Sequence, residues 1–141
     1  MISTALTNSF KKELLEGVHD FRVSGGDTFK IALYNSSAAL GAQTTAYTTD
    51  NEVTGAGYTA GGATLTRVDP ATSGTTAYVT FQDISWPAAT ITANGALIYN
   101  ANASNASVVV LAFGSDKSVT NATFEVKFPT ANATSAIVRI V

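Results

Sequence analysis

Asp27–Tyr34 reads DTFKIALY. Phe29, Ile31 and Leu33 alternate with Lys30, Ala32 and Tyr34. A period of two predicts a β-strand with the Phe, Ile and Leu side chains on its buried face. Phe124–Phe128, FEVKF, repeats the pattern, with Glu125 and Lys127 between three apolar residues. Further runs rich in Val, Ile, Thr and aromatics predict strands at 63–68, 77–84, 90–99, 107–113 and 136–141. Turn-forming residues separate them: Asp69-Pro70, Ser73-Gly74, Asn100–Asn105, Gly114–Ser118 and Pro129–Asn132.

The first residues follow another rule. Leu6, Phe10, Leu14 and Val18 recur every fourth position, with Leu15 beside them and Lys11, Lys12, Glu13 and Glu16 opposite. That predicts an amphipathic helix of about twelve residues, capped by Thr7 or Asn8 and weakened at Gly17. The expected fold is mainly β: an antiparallel β-sandwich or jelly-roll-like domain over 23–141, with the helical segment 1–22 packed on it or extending from it.

Composition narrows the function. The chain has 141 residues, enough for one domain with a sizeable core. Only 13% are charged, the net charge is −2, and Ile84–Ser115 carries no charge. Such a surface attracts neither nucleic acid nor an anionic membrane. There is no cysteine, hence no disulfide or thiolate chemistry. The segment MISTALTNSFKKELLEG has no apolar core of signal-peptide length, and no run is long enough to span a bilayer. A soluble protein outside the conventional secretory route is expected.

Several patterns mimic chemistry. Gly55-Ala56-Gly57-Tyr58-Thr59-Ala60 fits the dinucleotide-loop spacing, but GGATLTRVDP follows, which starts no helix. The glycines are expected to shape a long loop at 44–62. His19 is the single histidine, and no nucleophile motif accompanies it. Asp27, Asp50, Glu52, Asp69 and Asp83 lack calcium-loop spacing and read as solvated loop carboxylates. Five Asn-x-Ser/Thr matches, at Asn35, Asn102, Asn105, Asn121 and Asn132, suit chance in an Asn- and Thr-rich chain. No catalytic, cofactor or metal residues are expected.

Leu6–Phe21 (LTNSFKKELLEGVHDF), Asp27–Thr66 (DTFKIALYNSSAALGAQTTAYTTDNEVTGAGYTAGGATLT), Ala96–Ala101 (ALIYNA) and Val108–Val119 (VVVLAFGSDKSV) together resemble a family of small structural virion proteins of tailed bacteriophages, including cyanophages. The resemblance implies a capsid decoration, or cement, protein. It would be made in the host cytoplasm and carried on the virion's capsid surface. Its partners would be the major capsid protein and itself, as a homotrimer at local threefold positions, with neither nucleic acid nor membrane. The alternative within the same resemblance is a tail or fibre-base protein engaged in host-surface adhesion. Partner contacts are expected at Phe10 and Leu14 on the helix, at Tyr47 and Tyr58 in the long loop, and at Trp86.

Overall fold

The computed structural model describes residues 1–141. Eight strands and one helix follow in order: β1 (Ala5–Leu6), α1 (Asn8–Leu15), β2 (Phe29–Tyr34), β3 (Ala63–Thr64), β4 (Ala71–Ser73), β5 (Thr76–Val79), β6 (Ile84–Asn100), β7 (Ala106–Val126) and β8 (Val138–Ile140). They form two antiparallel sheets in a β-sandwich-like arrangement. The larger runs β1-β7-β6-β2-β3 and the smaller β4-β5-β8. No helix is long and apolar enough to cross a membrane.

The β6–β7 hairpin is the backbone of the fold, and it differs from the predicted strands. β6 extends the strand expected at 90–99 back to Ile84 in a run of 17 residues, and β7 joins the strands expected at 107–113 and 124–128 into one of 21. Gly114–Ser118, expected as a turn, lies inside β7. The register explains the difference. Ala93 faces Lys117 but Gly95 faces Ala112, so four residues of β7 bulge against one of β6. Gly114, at φ +81, supplies the left-handed conformation that the bulge requires. A second irregularity lies where Ala88 (φ 49) and Asn121 (φ 47) are both left-handed, between the pairs Trp86–Phe124 and Ile91–Val119.

β2 also departs from its reading. Ala32 and Tyr34 are buried along with Phe29, Ile31 and Leu33, and only Lys30 is half-exposed. Two apolar clusters cause this. Phe29, Ile31 and Leu33 join a large core with Ile98, Val108 and Phe124, closed by Phe10, Phe21, Val79 and Val138. The opposite face holds Ala32, Tyr34, Leu97, Tyr99 and Val110 under Ile2, Ala38 and Leu40. The central sheet is therefore covered on both sides. Each large side chain so buried stabilises by roughly 1.5–3 kcal/mol in transfer free energy.

α1 is shorter than predicted, at eight residues. Thr7 is its N-cap, and its hydroxyl accepts from the Phe10 amide at 3.3 Å. Gly17, at φ +74, ends it. The Gly17 amide donates to Leu14 and the Val18 amide to Glu13, the paired bonds of a Schellman motif. Leu6 thus falls in β1 and Val18 beyond the helix, so the apolar stripe is Phe10 and Leu14 only. Phe10 is fully buried in the main core, which places the helix on its own domain.

Candidate functional site

The long loop between β2 and β3 is organised by one carboxylate. Glu52 is buried at 8% exposure. Its Oε2 accepts from the Tyr47 hydroxyl at 2.8 Å, and its Oε1 accepts from the Tyr58 hydroxyl at 3.1 Å and from the Gly61 amide at 2.6 Å. Tyr58 Oη also accepts from the Leu33 amide at 2.9 Å, so its own proton is directed to Glu52. Tyr99 Oη donates to the Gly61 carbonyl at 2.6 Å and stacks on Tyr47 at 4.8 Å between centroids. Tyr34 Oη donates to the Thr48 carbonyl at 2.7 Å. Burial, reinforced by the nearby negative charge of Glu52, raises the phenol pKa values of Tyr34, Tyr47, Tyr58 and Tyr99. All four stay neutral donors near neutrality, and the loop is fastened to the sheet by hydrogen bonds.

The loop glycines have a visible purpose. Gly62, at φ +77, lies so close to β2 that a Cβ would overlap the Ile31 carbonyl oxygen. Gly55 and Gly57 approach β6 in the same way, where the Thr90 amide donates to the Ala56 carbonyl at 2.9 Å. No helix follows, so the segment forms no phosphate cradle.

His19 is likewise structural. Its ring is buried beside Phe10, and Nε2 lies 3.0 Å from Glu13 Oε1. Nδ1 accepts from Asn100 Nδ2 at 3.0 Å, and the same amide donates to Asp27 Oδ2 at 2.8 Å. Since Asn100 Nδ2 is a donor, Nε2 carries the ring proton and donates a hydrogen bond to Glu13 Oε1. The cluster ties the chain around Asp20–Asp27 to the end of β6. Asp20, chelated by the Arg22 guanidinium, has its pKa lowered to about 2. The acidic residues weighed for calcium are dispersed among such tasks: Asp27 here, Glu52 in the loop, Asp69 on the Val23 amide, Asp83 on the Phe128 amide.

The five expected contact residues divide. Phe10 is enclosed, and Trp86 is buried at 5% between Tyr58 and Phe124. Neither offers surface to a partner, which corrects both expectations. Their size and aromaticity placed them equally well in the protein's own core. Tyr47 and Tyr58 are half-buried with their hydroxyls committed to Glu52. Leu14 remains accessible. It lines a small groove of about 120 Å³ with Phe21, Pro70, Ala77, Val138 and Ile140. Leu15, 92% exposed, and Ile140, 59% exposed, add apolar surface at this end. Ile140 carries no separate signal in the sequence, because 136–141 reads as an ordinary strand.

A second groove, of about 420 Å³, is lined by residues between positions 113 and 127, in and just beyond the second half of β7. Phe113, Val119, Phe124 and Val126 line it together with the charged Lys117, Glu125 and Lys127 and the hydroxyls of Ser118 and Thr123. The other face of this hairpin is mostly uncharged: Ser85, Thr90, Thr92, Ser118 and Thr120 are exposed, Thr92 and Ser118 share a 2.7 Å hydrogen bond, and Glu125 stands opposite Ser85 at its end. These surfaces suit contacts with protein. Comparison with protein-family models, curated proteins and solved structures returns no match to this chain.

Proposed function

We propose that the chain is a structural subunit of a tailed-phage particle, acting as a decoration protein on the outside of the capsid lattice. The reading begins from the resemblance carried by Leu6–Phe21, Asp27–Thr66, Ala96–Ala101 and Val108–Val119. The observation that supports it best is the character of the exposed hairpin face. From Ile84 to Ser115 the chain has no charged residue, and the exposed positions there are largely Ser, Thr, Asn and Ala. Charge depletion of this kind marks the centre of protein interfaces. A subunit that binds only the mature lattice stabilises it by mass action and needs no reacting group. It needs a stiff scaffold, which the doubly covered central sheet and the Glu52 anchorage provide. Association as a homotrimer at local threefold positions would add avidity.

The test is the copy number of the protein in purified particles, measured by quantitative mass spectrometry against the major capsid protein. A simple stoichiometric ratio to that protein is expected. A count matching a single vertex or the tail would transfer the protein to the tail or fibre base. Absence from the particle would sink both roles.

A further inference from the structure

The neighbours of His19 hold it in one tautomer and leave no place for a second ring proton. Its side chain is fully buried, with Phe10, Phe21 and Phe29 around the ring at centroid distances of 5.0, 6.5 and 6.3 Å. None of the three offers a hydrogen-bond acceptor. Nε2 donates to Glu13 Oε1 at 3.0 Å, so a further proton must go to Nδ1, which already accepts from Asn100 Nδ2. Asn100 is not free to turn and offer its oxygen. Its Oδ1 accepts from the Asn102 amide at 2.9 Å, and its Nδ2 also donates to Asp27 Oδ2 at 2.8 Å. Reversed, the amide would set oxygen against a carboxylate and N–H against N–H.

We propose that this cluster is an acid-operated latch: a proton taken up at His19 Nδ1 detaches the segment 16–28 from the end of β6. The charged groups around the ring leave that proton without an acceptor. Glu13, from α1, faces Nε2 only. Within the segment, Asp27 Oδ2 is engaged by Asn100 and by the Asp20 amide, and the Asp20 carboxylate by the Arg22 guanidinium. Arg67, beyond β3, donates to the Asp27 carbonyl. On β2, Lys30 pairs with Tyr99 and reaches toward Gly61, on the face away from Phe29, and β6 carries no charge. The open form binds the proton and the closed form does not, so acid favours opening. The latch holds above about pH 6.5, where an ordinary imidazole is neutral, and below it the open fraction rises about ten-fold per pH unit. Opening takes Phe21 off its 4.4 Å stack on Phe29 and bares Phe10 beside the Leu14 groove. The device does not depend on where the protein acts.

The chain has a single histidine, so nitrogen NMR reads its ring without ambiguity. Near neutrality the proton is expected on Nε2. Amide exchange at Asp20 and Asp27, which bond to each other across the segment, is followed from about pH 7.5 to about pH 5.5, a range in which ordinary carboxylates stay ionised. Corrected for the intrinsic rate, protection at these amides should fall roughly ten-fold over the last pH unit, while that of the β6–β7 pairs stays constant. His19→Gln preserves both bonds, its oxygen accepting from Asn100 and its amide donating to Glu13, and it has no proton to gain. Its segment should stay protected throughout. A ring proton on Nδ1 near neutrality, flat protection in the native protein, or an equal acid response in His19→Gln would overturn the proposal. The native tautomer and pH profile decide the matter even if His19→Gln fails to fold.

Discussion

Replacing Glu52 by alanine removes the acceptor of three donors at once: the hydroxyls of Tyr47 and Tyr58 and the amide of Gly61. A buried donor left without a partner costs about 1–3 kcal/mol. Gly61 is buried and cannot turn to water; Tyr58 is half-buried and held by the Leu33 amide; Tyr47 is half-buried and can recover a water. Two poorly compensated donors give about 2–6 kcal/mol. Relief of the carboxylate's own desolvation offsets part of that. A net loss of about 3 kcal/mol is expected for Glu52→Ala. Glu52→Gln keeps one oxygen for Tyr58 and Gly61, and its amide can donate to the Tyr47 oxygen, so about 1 kcal/mol is expected. Urea denaturation at neutral pH measures both, provided the slope of the transition is unchanged. Hydrogen exchange at Leu33 and Gly61 should accelerate more in the alanine variant. A cost under about 1 kcal/mol for alanine, or equal costs for the two variants, would show that the carboxylate does not organise the loop.

Glycine and aromatic positions give sharper contrasts. Gly62→Ala sets a methyl group against the Ile31 carbonyl, which is backbone and cannot step aside, so a loss above about 3 kcal/mol is expected. Gly74→Ala, also left-handed but in open space, should cost only about 1 kcal/mol, and equal thermal shifts for the two would contradict the packing described. Ala88→Gly should stabilise by about 0.5–1 kcal/mol, as alanine there sits at φ 49; a destabilised variant in calorimetry counts against strain at the kink. Trp86→Ala should lower stability by about 3–5 kcal/mol through a core cavity, and a fully stable variant would return Trp86 to the surface. Tyr34 and Tyr99, both buried, have raised phenol pKa values. Their contribution is fully present below the unfolded value of about 10 and is lost as pH rises toward the folded values. Stability should fall above about pH 10, by up to about 1.4 kcal/mol per pH unit for each such tyrosine, and Tyr34→Phe should flatten the fall. A pH-independent unfolding midpoint between neutrality and strong alkali would refute this.

Local pattern announced much of this fold. The alternation of Phe29, Ile31 and Leu33 places β2, and Thr7 and Gly17 bound α1, because period and capping are properties of neighbouring residues. What the pattern missed depends on distant partners. Gly114–Ser118 carries the composition of a turn, yet pairing with β6 holds it extended around a bulge. The inward position of Ala32 and Tyr34 follows from Ile2 and Leu40, which no reading of β2 alone can supply. Among the site residues, Leu14 was legible as a member of the helix's apolar stripe with Phe10. Glu52 was legible only as a loop carboxylate, since its three donors come from positions 47, 58 and 61 of a segment without periodicity. The β7 groove became visible only once the hairpin's true length was known.

The connection between β6 and β7 spans only Ala101–Asn105, whereas β1 meets β7 by pairing Ala5 with Val110. The first contact closes a short loop and the second a very long one, and the entropy of closure separates them in time. The hairpin can zip outward from its tight end around Asn100 and Ala106 and present its flat side as a template. The amino-terminal segment then has a surface on which Thr7 finds Ser107 and Phe10 finds its pocket. Substitutions at Leu97 or Val110 are accordingly expected to slow refolding, and those at Phe10 mainly to hasten unfolding. The longest element of the protein is thus expected to form first, and the amino-terminal segment to dock last.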